Sequence, residues 1–199
     1  IKQNNFCPST YCEGSVPGST EIKISAKKSH YFMAKAPSIA PPLLDVLLTQ
    51  RRAVKKQMKK SADEEERKIL DARQKAIKIS CNRVYGFFGR RKGYLSCVPV
   101  SESTTATGRR YIEMTKQAVE SIFPMTRVIY GDTDSVMVLT QYSELKHAWA
   151  LGTKIAEYVN AVTFGEMKSI DLELEKSCNP FILYKKKRYI MRSYESSDP

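Results

Sequence analysis

The chain has 199 residues, 42% of them hydrophobic, and a formal net charge of +12 from 33 Lys and Arg against 21 Asp and Glu. This is enough apolar material for one large domain or two small ones, with no run near the roughly 18 apolar residues of a membrane span and no visible secretory or transit peptide. Five scattered cysteines without a C-x-x-C pair give zinc little support and read as reduced, intracellular thiols. The chain starts at Ile1 and ends at Pro199 after a polar YESSDP, so an internal fragment of a longer protein is expected.

The charge is local. Residues 43–92 hold 15 Lys and Arg against 6 Asp and Glu. A polyanion partner or a solvated helix surface accounts for such a field equally well.

In chain order, residues 1–42 are irregular, with EIKIS and HYFMA as short strands and PSIAPP as a break. The stretch 41–60 has helical spacing, with Leu43, Leu47 and Val54 beside Leu44, Leu48 and Met58. A second helix is expected from Ser61, with Ser61 and Glu64 as a capping box and an end near Gly86. Its inward marks are Ile69, Ala76, Ile77, Ser80 and Val84. The two helices form a hairpin, which buries little alone and should project from a larger body. A third helix is expected over 103–123 with Ile112, Thr115, Val119 and Ile122 on one face. A strand pair around Asp132 follows, and then an amphipathic helix over 143–160 with Leu145, Ala148, Trp149, Ala156 and Val159 inward. SIDLELE (169–175) alternates as a half-buried strand should, and FILY and RYIMRSY read as two more strands with KKK near their turn. The sum is an α+β body with an antiparallel sheet, packed helices and a helical projection.

Chemistry concentrates at YGDTDS, Tyr130 to Ser135. β-Branched residues flank it, so a tight strand–turn–strand is expected, with Gly131 easing the bend. Asp132 and Asp134 repel unless positive charge reaches them. Mg²⁺ would relieve this, since it takes one or two carboxylates plus phosphate oxygens and water. A solvent-facing acidic turn is the competing reading. A calcium loop fails, because Val136 stands at the third ligand position and no glycine follows where one is required. Lys78, Asn82 and Tyr85 fall at i, i+4 and i+7 on one helix face, where a lysine and an amide can hold phosphate oxygens and a tyrosine can pack on a base or sugar. A snorkelling lysine and a core tyrosine would look the same. Arg51, Lys55 and Lys59 share a face of the preceding helix. YKKKRYIMR suits nucleic-acid backbone binding, a nuclear import signal or protection of a strand edge.

Taken in order, these blocks resemble family B DNA polymerases. YGDTDS resembles that family's palm motif C, KISCNRVYGFFG its motif B, and KKRY (Lys186 to Tyr189) the motif that grips primer–template. TTATGRRYIEMTKQAVES resembles the segment joining motifs B and C, and NNFCPST the tail after motif A. The resemblance implies residues 1–42 as part of the palm, 43–86 as the fingers hairpin with motif B, and 87–199 as palm with motif C and the start of the primer–template grip. It implies Asp132 and Asp134 as metal-site and catalytic carboxylates for two Mg²⁺ ions, one shared with a motif A aspartate that should lie before Ile1. It implies Arg51, Lys55, Lys78, Asn82 and Tyr85 as nucleotide-binding residues, with Lys78 protonating departing pyrophosphate. Gly86, Lys186, Lys187, Arg188 and Tyr189 would contact DNA.

The partners so implied are primer–template DNA, deoxynucleoside triphosphates and a processivity factor bound outside this chain, with no membrane. The location would be the nucleus, or the host nucleus for a virus. The wording is closer to eukaryotic replicative and large DNA-virus enzymes than to bacterial ones, with a herpes-like virus favoured. One departure is Arg83, where motif B usually has serine; on a helix it points about 100° from Asn82. The isolated piece is expected to be inactive. The rivals are a non-catalytic polymerase-like nucleic-acid-binding module, a metal-dependent nuclease, whose sites usually gather more carboxylates, and a reverse transcriptase, in which adjacent aspartates would be expected in place of D-T-D.

Overall fold

The computed structural model describes residues 1–167 and 169–197. It divides into two compact units, Ile1–Thr107 and Gly108–Pro199.

In the first unit a short 3₁₀ turn, Pro8–Thr10, leads into strand β1 (Tyr11–Cys12), followed by β2 (Ser19–Ser25) and β3 (Lys28–Met33). Both β1 and β2 pair antiparallel with β3, so Phe32 is flanked by Tyr11 and Thr20. The Phe32 side chain is fully buried, 4.7 Å centroid to centroid from Phe6. Helix α1 (Ala40–Lys60) opens on Ala-Pro-Pro. Prolines are tolerated there because the first helical turn needs no N–H donors, so the predicted break is the start of a helix.

Ser61 closes α1, its N–H bonded to the Gln57 carbonyl. The expected capping box on Ser61 does not form. Asp63 caps helix α2 (Glu64–Phe88) instead, its carboxylate accepting from the Glu65 N–H at 3.0 Å, while the Ser61 hydroxyl bonds Glu66. Reversing the chain takes extended backbone at both Ser61 and Asp63, which delays the second helix. Helix α2 also runs past Gly86. Phe88 is buried at its end, and that burial outweighs the roughly 1 kcal/mol cost of a glycine inside a helix.

The hairpin's inward face is Leu44 and Val54 of α1 with Leu70 and Gln74 of α2, whereas Ile69, Ala76 and Ser80 face solvent. The apolar count misplaced this stripe because its centre is polar. Gln74 is buried, and its amide accepts from Arg51 Nε at 3.1 Å and donates to Asp71 Oδ1 at 2.9 Å. Both feet of the hairpin are rooted in one core of Phe6, Cys7, Phe32, Ala40, Phe88 and Val100.

Helix α3 (Val98–Ile122) begins five residues ahead of the expected start, because Val100 and Ser103 are buried. Its distal half presents Thr115 and Val119 inward, while Ile122 is exposed. In the second unit β4 (Arg127–Asp132) and β5 (Ser135–Leu139) form an antiparallel hairpin, followed by α4 (Leu145–Tyr158), which continues into a π-helical turn, Val159–Thr163. The core comprises Val119, Ile155, Val159 and Phe164, with Val128 and Val138 of the β4–β5 hairpin packed against it. The last strands, β6 (Ser177–Lys185) and β7 (Arg188–Tyr194), form a second antiparallel hairpin.

SIDLELE is not a strand. The Asn160 side chain clamps Leu172 through both backbone groups, donating to its carbonyl at 2.8 Å and accepting from its N–H at 2.7 Å. Ile170 and Leu172 still pack on the core, so the alternation reports burial without a ladder partner. The class is α+β as expected, with all strand pairing among the described residues antiparallel and spread over three small sheets, β1-β3-β2, β4-β5 and β6-β7. No helix among these residues is long and apolar enough to cross a membrane.

Phe88 links the helical hairpin to the first core. Phe88→Ala is expected to cost about 3–5 kcal/mol, read as a lowered denaturation midpoint with an unchanged slope.

Candidate active site

The β4–β5 hairpin carries the acidic pair. Its root is fixed twice: Val128 and Val138 pack on the core, and the Glu120 carboxylate of α3 accepts from the Val128 N–H at 3.0 Å. The register slips between Val128 and Tyr130, a bulge of the kind that re-aims side chains near sites. Beyond it Tyr130, Gly131 and Asp132 pair with Met137, Val136 and Ser135. The bend lies two residues beyond Gly131. Thr133 takes φ +57°, and the Asp134 N–H donates to the Asp132 carbonyl at 2.6 Å, closing a γ-type turn. A β-branched residue in the left-handed region is uncommon, and here it sits between the two carboxylates.

Tyr130 and Asp132, two apart on a strand, share a face, and both are met by the β6–β7 turn. Lys187, at φ +63°, donates its backbone N–H to the Tyr130 hydroxyl oxygen at 2.8 Å, and its Nζ lies 2.7 Å from Asp132 Oδ1. The Tyr189 ring packs edge-on to Tyr130 at 6.0 Å and against Phe181 at 5.6 Å. Asp132 Oδ1 also accepts from the Thr133 hydroxyl at 3.0 Å. The Lys187 ammonium, and secondarily the Thr133 hydroxyl, hold the Asp132 carboxyl below the usual aspartate range, and Asp132 in turn raises Lys187. Asp134 is exposed. The YGDTDS hairpin and the KKRY turn are thus joined by direct bonds. Lys186 and Arg188 are exposed beside them.

The other predicted residues lie in the first unit. Arg51 is tied to Gln74, and Lys55 and Lys78 each stand one helical turn, about 6 Å, beyond that bond in opposite directions along the hairpin. Lys55, Lys78 and Asn82 are exposed, Tyr85 is half-buried, and Gly86 faces open space. Arg83 is exposed on α2. Two participants escaped the sequence reading, Gln74 and Tyr130. Each had a positional signal, Gln74 four residues before Lys78 on its helix face and Tyr130 two before Asp132 on its strand face.

Among the described residues no three His, Cys, Asp or Glu converge as a metal centre. The donor set nevertheless suits a shared one. Asp132 is an ionised carboxylate that already accepts one cation, Asp134 is open to another, and Mg²⁺ takes few protein carboxylates when phosphate and water complete its shell.

An α+β chain with a rooted helical hairpin and an acidic hairpin tip met by a basic turn fits the class of nucleic-acid polymerases. The profile of DNA polymerase family B matches residues 1–199, and the chain belongs to that family. The DNA polymerase delta catalytic subunit of Arabidopsis thaliana is 45% identical over 158 residues, 76% of this chain and 14% of that protein. The DNA polymerase of Paramecium bursaria Chlorella virus NY2A is 42% identical over 165 residues, 80% of this chain and 18% of that protein. The chain therefore spans less than a fifth of these relatives' length. The solved structure of the family B DNA polymerase from the hyperthermophilic archaeon Pyrobaculum calidifontis matches with a TM-score of 0.67 at 28% identity, over 96% of this chain and 23% of that one.

The depressed Asp132 value means that its ion pair adds stability above the unfolded carboxyl's value and loses it as pH falls through the folded one. A carbon-detected NMR titration should place the Asp132 midpoint below the ordinary value of about 3.9, and Lys187→Met should move it back up. An unmoved midpoint in that variant would show that the pair does not hold in solution.

Proposed function

We propose that this chain is the palm-and-fingers segment of a DNA-directed DNA polymerase that extends a primer on a DNA template with deoxynucleoside triphosphates. Residues 1–42 and 87–199 serve as palm and 43–86 as fingers. The single observation that carries the reading is the acidic turn Asp132-Thr133-Asp134 under a basic turn from KKRY, with a cation already seated on Asp132. Family B membership supports it, since family B polymerases generally depend on divalent metal.

In the reaction the primer 3′-hydroxyl attacks the α-phosphorus. A new phosphodiester bond forms as the hydroxyl proton passes to solvent, the bond from the α-phosphorus to the bridging oxygen breaks, and pyrophosphate leaves. Asp132 and Asp134 would hold two Mg²⁺ ions together with an aspartate from the preceding motif. When bound, these ions supply charge neutralisation and activation of the attacking oxygen. Arg51, Lys55, Lys78 and Asn82 bind and orient the triphosphate, and Lys78 donates a proton to the departing pyrophosphate. Tyr85 and Gly86 pack near the nascent pair. Lys186, Lys187, Arg188 and Tyr189 hold the primer–template through its backbone, so base pairing supplies the sequence information. Most of the catalytic effect is positioning and electrostatics. The full protein acts in DNA replication in a nucleus, with a processivity factor bound through segments outside this chain.

In the complete enzyme, Asp132→Asn and Asp134→Asn should each lower primer extension by about 10²–10³-fold or more, the scale of losing one charge-stabilising group, with DNA affinity retained in a gel-shift assay. Near-normal extension by either variant would sink the proposal. If the wild-type enzyme binds DNA but incorporates no nucleotide, the non-catalytic module is the correct reading.

Arg51→Ala and Lys78→Ala should raise the KM for nucleotide with little change in DNA affinity. Arg83→Ser, on an exposed position of α2, should leave that KM unchanged.

A further inference from the structure

Lys187 has two bonding roles in one residue. Its backbone is fixed by the N–H bond to Tyr130 and by its left-handed conformation, so the turn is docked on the β4–β5 hairpin. Its side chain is not fixed in the same way. It is 62% exposed, and its charge partner among the described residues is Asp132, itself 23% exposed. A lysine stem has four rotatable carbons and a point charge at its end. An ion pair this exposed is weak, because solvent screens both charges, and so can be exchanged. A DNA phosphate is the stronger competitor for the ammonium, and a divalent cation for the carboxylate.

Resting on the polymerase reading above, we infer that Lys187 is a tethered stand-in cation that occupies Asp132 in the DNA-free protein and transfers to the primer–template when DNA binds, freeing Asp132 for metal. Metal and Lys187 then exclude each other at Asp132 Oδ1, whereas metal and DNA reinforce each other through the shared side chain. Such coupling is reciprocal: DNA tightens metal binding by the same factor as metal tightens DNA binding. The device also answers a problem of the motif. Two neighbouring carboxylates keep a compensating charge while no metal is present, and the Lys187 contact keeps Asp132 aimed.

The test is Mn²⁺ titration of the full-length polymerase by electron paramagnetic resonance, with and without primer–template. The Asp132→Asn variant defines the share of binding that belongs to this site. Lys187→Met, and Lys187→Gln as a second variant should Met disturb the turn, are each expected to bind Mn²⁺ roughly two- to fivefold more tightly without DNA, the worth of one exposed ion pair. The tightening that DNA brings to the wild type should shrink in both, while Lys187→Arg, which retains the charge, should stay near wild type. Unchanged or weaker metal binding in the Met and Gln variants, with Asp132→Asn clearly weakened, overturns the stand-in role and leaves the polymerase reading intact. An Asp132→Asn variant that binds Mn²⁺ as the wild type does overturns both.

Discussion

Two carboxylates two positions apart at a hairpin tip repel each other unless positive charge is brought to them. The second unit is organised around that requirement. The Lys187 ammonium meets Asp132 at 2.7 Å, and the backbone that carries it is bonded to Tyr130 on the same strand face. The Tyr189 ring meets Tyr130 edge-on and packs tilted against Phe181, which ties the two hairpins together. The polar contact works because its frame is apolar. Val128 and Val138 tie the acidic hairpin to the core of Val119, Ile155, Val159 and Phe164, so the aspartates project from a buried root.

The first unit solves a different problem. A two-helix hairpin has too little apolar surface to stand alone, and this one is held at its feet by Ala40 and Phe88. Along its length the helices are joined partly by a buried amide, with Gln74 bonding Arg51 across the interface and Asp71 along its own helix. That bond restrains one cation while Lys55 and Lys78 remain free in solvent.

How much of this was legible in the sequence varies with the kind of interaction. The helical hairpin, the amphipathic fourth helix and the strands around Asp132 follow from periodicity and turn chemistry, both local. The inward stripe of α2 was misread because Gln74, a polar residue, lies at its centre, and an apolar count cannot see a satisfied buried amide. SIDLELE alternates like a strand, but the partner that would make it one is the Asn160 side chain. The bend was assigned to Gly131 because glycine is the usual residue there, while the structure places the positive φ on Thr133.

Family membership and the identity of the candidate residues were written in the sequence, since short motifs in fixed order depend on residue type and spacing alone. Only the tertiary structure decided which of those residues meet. Asp132 and Lys187 are 55 positions apart, and no periodicity links them. Their contact exists because two hairpins, each locally specified, are brought together by tyrosines whose partners lie on the other hairpin. Long-range pairing of this kind is set by packing, which a linear pattern does not contain.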